Sequence, residues 1–371
     1  MTAAAGPIHV LIVDDSAVVR QMLTEILSRE RGITVSVAAN PLIALDKMRG
    51  FRPHVIVLDL EMPEMDGLTF LRRVMATDPI PVVVCSGLAA RGTEAAFAAI
   101  EAGALAVIEK PRLGVKGFLH DSALMLRDTV VAAARARVRP RAPRPPSAKT
   151  ADAVLALPRK PALGTTSEKV VAIGASTGGT EALRTILEAM PPDAPGLLVV
   201  QHMPEAFTRA FAERLDRSCR IEVREAVDRD RVIEGRALIA PGNRHLLLKR
   251  SGGHYLVEVA DGPLVSRHRP SVDVLFRSVA VAAGSNAVGV ILTGMGDDGA
   301  SGLLEMKQAG ATTLAQDEDS CVVFGMPKEA IQRGAVDEVV GLEQMAPALL
   351  RRAAELETRR HPSFRGSGPR S

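Results

Sequence analysis

No tryptophan and only one tyrosine occur among the 371 residues. With aromatics at 3%, the chain lacks the stacking surfaces that binders of single-stranded nucleic acid present to bases. An excess of one charge is also missing. Lys and Arg number 46 against 43 Asp and Glu, and a net +3 gives no electrostatic case for nucleic acid as the main partner. Cysteine is scarce: Cys85, Cys219 and Cys321 lie far apart without metal-ligand spacing, the pattern of reduced thiols in a cytosolic protein. No apolar run approaches the ~18 residues of a membrane span. The N-terminal apolar stretch 8–13 ends in two aspartates, unlike a signal peptide. These absences predict a cytoplasmic protein with no membrane insertion and no nucleic-acid partner.

What is present is a folded composition, 47% hydrophobic and 24% charged. The length exceeds one ordinary core and suits two domains. Through about residue 135 the chain alternates β-branched runs (8–13, 33–38, 54–58, 81–85 and 105–108) with stretches of helical spacing such as 17–29 and 42–48. Five such alternations predict a parallel sheet with helices on both faces. Its polar residues fall at strand ends: Asp14 and Asp15 after the first, Asp59 after the third, Ser86 after the fourth and Lys110 after the fifth. Doubly wound sheets place their sites at that edge. Three carboxylates there repel one another unless a hard cation such as Mg²⁺ joins them. Singly, Asp14-Asp15 is equally readable as a helix cap and Lys110 as a solvated cation; the coincidence of five residues favours a phosphoryl site.

This half resembles a response-regulator receiver domain, most clearly in Val57-Leu58-Asp59-Leu60-Glu61-Met62-Pro63-Glu64-Met65-Asp66-Gly67. The resemblance implies that Asp59 accepts a phosphoryl group from a histidine kinase. It further implies that Asp14, Asp15, Asp59 and the backbone of Glu61 hold Mg²⁺, and that Ser86 and Lys110 contact the phosphoryl oxygens.

Between 135 and 168, Arg135, Arg137, Arg139, Arg141 and Arg144 mingle with prolines, then Ser, Ala, Lys and Thr follow. Proline interrupts helix and like charges extend the chain, so a semi-stiff tether is predicted, in preference to a basic docking patch. The tail, 358–371, is similarly basic and is predicted to be disordered.

From 169 to 357 strand and helix patterns alternate again, with strands at 170–174, 197–201, 237–239 and 288–292. Stretches 246–249 and 255–259 form a hairpin pattern around Arg250-Ser251-Gly252-Gly253. The first strand breaks into Gly174-Ala175-Ser176-Thr177-Gly178-Gly179, fitting G-x-S-x-G, the turn that lifts a nucleophilic serine off a sheet. Alone that motif is weak, because glycine-rich strand–helix turns also cradle phosphates. Two later strands end in His202 and in Thr293-Gly294-Met295-Gly296-Asp297-Asp298-Gly299. Ser, His and Asp at three strand ends suggest acyl transfer. Their order differs from the α/β-hydrolases, which matters for fold and not for chemistry. Spacing does not decide between Asp297 and Asp298.

These segments, with Gln201-His202-Met203-Pro204, Arg269-Pro270-Ser271-Val272-Asp273 and Val323-Phe324-Gly325-Met326-Pro327, resemble the chemotaxis methylesterase family. The resemblance implies Ser176 as nucleophile, His202 as general base and Asp298 as its orienter, with backbone amides near Thr177 and Met295 receiving the oxyanion. It implies hydrolysis of glutamate γ-methyl esters on chemoreceptors, releasing methanol, and deamidation of receptor glutamines. No cofactor is implied in this half. The architecture is thus α/β throughout: a flavodoxin-like five-stranded receiver domain (1–134), a linker, and a Rossmann-like doubly wound domain with a β-hairpin (169–357). An esterase for another substrate and a non-catalytic response regulator are the rival readings.

Overall fold

The structure is a computed structural model describing residues 7–30, 32–63, 65–86, 90–110, 116–136 and 169–360. Most of the predicted tether and residues 361–371 of the tail lie outside the described residues.

The N-terminal domain contains β1 (Ile8–Val13), α1 (Ala17–Ser28), β2 (Ile33–Ala38), α2 (Pro41–Gly50), β3 (Val55–Leu58), α3 (Gly67–Thr77), β4 (Val82–Ser86), α4 (Ala90–Glu101), β5 (Ala106–Glu109) and α5 (Lys116–Ala134). The strands form a parallel sheet in the order β2-β1-β3-β4-β5. Its central strands β3 and β4 are buried along their whole length, as their unbroken apolar sequences require. Helix starts follow side-chain caps: Ser16, Asn40 and Asp66 accept from the amides of Val19, Ile43 and Thr69.

The C-terminal domain begins with β6 (Val170–Ala175), α6 (Gly179–Glu188), β7 (Gly196–Gln201), α7 (Glu205–Ser218), β8 (Glu222–Glu225) and β9 (Arg236–Ile239). A hairpin follows, β10 (His245–Ser251) with β11 (His254–Ala260), then α8 (Val272–Ala282), β12 (Ala287–Ile291) and α9 (Ala300–Gln308). The chain ends in β13 (Thr312–Gln316), α10 (Met326–Gln332), β14 (Glu338–Val340) and α11 (Leu342–Arg360). Seven parallel strands run β14-β13-β12-β6-β7-β9-β8.

Strands β8, β13 and β14 are additions to the elements read from sequence. Charge hides β8 and shortness hides β14, both edge strands, while β13 is a short Thr-containing run. The hairpin is longer than its apolar pattern, because Arg250 and Ser251 pair with Tyr255 and His254 and only Gly252-Gly253 turn. Two-residue loops match the twist of paired strands. Helix α11 takes up residues 358–360, which the sequence assigned to the tail.

Each sheet reverses its winding once. In the first sheet β1 is flanked by β2 and β3; in the second, β6 is flanked by β7 and β12. Crevices at the carboxyl ends of such strands are where α/β folds bind ligands. The two domains also pack on each other: Phe97 of α4 stacks on Phe211 at 6.2 Å and meets Phe207 edge-on at 6.4 Å. Arg214 pairs with Glu101, and the Gly178 amide donates to the Leu105 carbonyl at 3.2 Å. Among the described residues no helix is long and apolar enough to cross a membrane.

Candidate active site

In the C-terminal sheet, register delivers the chemistry. Ala175 pairs with Gln201 and Gly174 with Ile291, so Ser176, His202 and the 292–299 loop leave three adjacent strands together. The Ser176 amide donates to the Thr293 carbonyl at 3.0 Å. Gly294 permits this approach, since a Cβ there would lie 2.7 Å from that of Ser176. Gly178, at φ +80°, turns the chain into α6 where an added Cβ would strike Val322.

His202 Nε2 bonds Asp298 Oδ2 at 2.8 Å. Asp298 is 1% exposed and accepts three more hydrogen bonds, from Ser271 Oγ (2.8 Å), the Val272 amide (2.8 Å) and the Asp273 amide (3.0 Å). The last two open α8, whose N-terminal amides and dipole favour an anion. Burial pushes the Asp298 carboxyl up, but the His202 bond and these amides outweigh it and hold it below the ordinary carboxylate value. Asp297 instead pairs with Arg333 at 2.7 Å on a half-exposed surface. The choice that spacing left open is therefore made by the loop: of the two aspartates, only Asp298 meets the imidazole.

With the proton on Nε2, His202 Nδ1 carries the lone pair. That atom is buried without a hydrogen-bond partner, and His202 and Ser176 line one small cavity with Thr177, Gln201, His268 and Met295. No Ser176–His202 hydrogen bond occurs among the described residues; such bonds commonly tighten only when substrate arrives. The amides of Thr177 and Met295 likewise carry no hydrogen bond among the described residues. Gln201 fixes the turn by donating to the carbonyls of Ser176 (2.9 Å) and His202 (3.1 Å).

His268, which sequence gave no role, stacks on His202 with centroids 3.7 Å apart and planes 4° from parallel. Its Nδ1–H donates to the Ser266 carbonyl at 2.7 Å. Burial, then the neighbouring His202, lowers its pKa to about 3, so it is neutral when the enzyme works. His202, His268 and Asp298 lie close enough to suggest a metal site. Stacked rings aim their in-plane lone pairs in parallel, so they do not converge on one ion. Ser271 lies within the Arg269-Pro270-Ser271-Val272-Asp273 run and His268 directly precedes it; a Ser followed by a helical pattern was the available cue for the α8 cap.

The cavity holds only about 60 Å³, room for about two waters, because Leu105, Val107 and Asp128 of the N-terminal domain close it.

At the other sheet edge, Asp14 and Asp59 are 1% and 2% exposed, and Asp15 is exposed beside them. Carboxylate oxygens of all three lie within 4.8 Å of one another. Lys110 Nζ lies 2.6 Å from Asp59 and 3.0 Å from Asp14. Burial raises the Asp59 pKa despite that lysine, with the Asp14 charge adding to the rise. Burial alone would lower the Lys110 pKa, but its two carboxylate partners raise it. The Glu61 amide donates to Asp59 at 3.2 Å, and Ser86 is buried on β4 opposite Glu109. Asp14 Oδ2 is buried without an aligned hydrogen bond. That oxygen faces Lys110 as an ion pair, and three clustered carboxylates against that one lysine keep the negative charge that suits a hard divalent cation such as Mg²⁺.

Comparison with known proteins covers both domains. Residues 171–349 match the CheB methylesterase family and residues 10–114 the response regulator receiver domain. A protein-glutamate methylesterase/protein-glutamine glutaminase of Anaeromyxobacter dehalogenans is 60% identical, covering 94% of this chain and 97% of its own. Another, from Geobacter metallireducens, is 60% identical over 93% of this chain and 98% of its own. The chain belongs to the CheB methylesterase family. The crystal structure of the Thermotoga maritima CheB methylesterase catalytic domain aligns with 50% of this CheB-family chain and 98% of its own, at 40% identity and TM-score 0.49.

Proposed function

We propose that the chain is a phosphorylation-regulated hydrolase that removes methyl groups from glutamate γ-methyl esters of chemoreceptors and deamidates receptor glutamines. The observation that carries this reading is the meeting of Ser176 with the His202–Asp298 pair in one cavity.

In the proposed reaction, Ser176 Oγ attacks the ester carbonyl while its proton passes to His202 Nδ1. The amides of Thr177 and Met295 receive the oxyanion. The intermediate collapses, the C–OCH₃ bond breaks, and His202 returns the proton to the departing methanol. Water then attacks the acyl-serine, His202 takes its proton, and Ser176 leaves with it as glutamate is released. Asp298 stays ionised and holds the imidazole tautomer throughout. A glutamine substrate follows the same steps with ammonia departing.

Regulation follows from the closed cavity. Ligand pockets usually offer ~300 Å³ or more, so a protein side chain needs the N-terminal domain to move. Asp59 is proposed to accept a phosphoryl group from a histidine kinase. Asp14, Asp15, Asp59 and the Glu61 backbone would hold Mg²⁺, which when bound neutralises phosphoryl charge; Ser86 and Lys110 would contact the phosphoryl oxygens. A tether keeps the effective concentration of order mM, so modest packing between the domains suffices to close the site, and a change at the first sheet that weakens the Phe97 contact would open the second.

The test is methanol release from receptor membranes bearing labelled methyl esters. Wild type releases methanol and Ser176→Ala does not; equal release by both contradicts the assignment.

A further inference from the structure

One turn beside the active site breaks the residue preferences of its own conformation. Val265 and His268 exchange both backbone hydrogen bonds, at 3.1 and 2.9 Å, leaving Ser266 and Arg267 as a two-residue loop. Both loop residues are left-handed, at φ +50° and +68°. Such loops favour Asn-Gly, because a side chain at positive φ is strained. Strain of this kind persists where surrounding structure enforces it and tends to cluster at functional sites. Here Ser266 Oγ is anchored on Asp273 at 2.9 Å, and the strained position carries an arginine.

Arg267 lines the cavity that holds Ser176 and His202, and among the described residues it is the one arginine or lysine to do so. Its partner is a carboxylate from the other domain: Nη1 lies 3.3 Å from Asp128 Oδ2 on α5. The active-site wall thus presents a guanidinium, and the domain that closes the site presents a carboxylate to it.

We propose that Arg267 recognises the substrate, binding a free carboxylate next to the reacting ester, and that Asp128 holds this place while the domains are packed. This rests on the esterase reading above. The reaction leaves a carboxylate wherever an ester stood, so a substrate protein bearing several such glutamates displays carboxylates beside the remaining esters. Guanidinium takes carboxylate through paired N–H donors, which gives orientation as well as attraction. The same ion pair then serves two states in turn. Packed domains satisfy Arg267 internally, and separated domains leave it for substrate.

The test uses the full chain, treated with a small-molecule phosphodonor and Mg²⁺, on two helical peptides. Each carries one glutamyl methyl ester, with glutamate or glutamine one helical turn away. Wild type should favour the glutamate peptide about tenfold in kcat/KM, mostly through KM, the size of one charge-assisted contact. Arg267→Gly relieves the turn while removing the cation, so its melting temperature should hold or rise while the preference vanishes and kcat stays within about twofold. Arg267→Lys should retain part of the preference. Asp128→Asn should raise the rate without phosphodonor and keep the preference intact. If Arg267→Gly only raises the unstimulated rate and still favours glutamate, Arg267 is a domain latch and the proposal is wrong. Wild type releasing methanol from both peptides equally also overturns it. Release from neither peptide contradicts the esterase reading and removes this one with it.

Discussion

The two sheets place chemistry at the same position, the carboxyl edge beside the strand where winding reverses, yet they build it differently. At the first edge the charged groups follow directly on β1, β3 and β5, and the site is like charges held together by Lys110. At the second edge the strands supply Ser176, His202 and Asp298, but what fixes them comes from elsewhere. The cap and first amides of α8 hold Asp298, and a strained turn stacks His268 on His202. A phosphoryl site needs charges gathered at one point. A proton relay needs angles as well, and angles require a second layer of residues.

The comparison is broken most severely at Ser176. Ser176→Ala should lower methanol release on the order of 10⁶-fold, as for loss of a serine nucleophile elsewhere, with unchanged melting temperature. Phe97→Ala removes the ring between Phe207 and Phe211 and should raise unstimulated release about tenfold or more, since core Phe→Ala changes cost ~3–5 kcal/mol; a rate equal to wild type would mean that this contact does not gate the site. Ser271→Ala should lower kcat about tenfold with KM unchanged, reflecting one lost hydrogen bond to a charged group. Its cap loss should cost about 1 kcal/mol in denaturant titration. Lost stability with intact kcat would reduce Ser271 to a cap.

Acid sensitivity sharpens the contrast further. His268 has a folded pKa of about 3 against an ordinary 6.5. Below pH 6.5 the unfolded chain takes a proton that the folded chain refuses, so stability falls between 6.5 and 3, and above 6.5 His268 contributes nothing. The urea midpoint of His268→Gln should therefore drop less steeply with acid over that window; parallel curves would argue against a neutral, buried His268. The smallest effect belongs to Asp297→Asn, within about twofold in rate, because its pair with Arg333 is half-exposed.

Legibility follows the same division. The first site is readable because strand ends announce it: an apolar run, then Asp14-Asp15, Asp59, Ser86 or Lys110. Ser176, His202 and Asp298 are readable on the same principle. Ser271 and His268 were not given roles because they belong to a cap and a turn, whose neighbours are set by tertiary packing of α8 against β6 and β12. The choice of Asp298 over Asp297 depends on which way one loop faces, and no periodicity encodes that. Edge strands β8 and β14 escaped because a sheet's rim does not need apolar runs.

Coupling between the two edges is the central claim, and one measurement addresses it directly: methanol release from esterified receptor with phosphodonor added or withheld, in wild type and Asp59→Asn. Wild type should accelerate severalfold or more on phosphorylation while Asp59→Asn stays at the unstimulated rate. Equal acceleration of both proteins, or none in a wild type shown to be phosphorylated, would contradict the account.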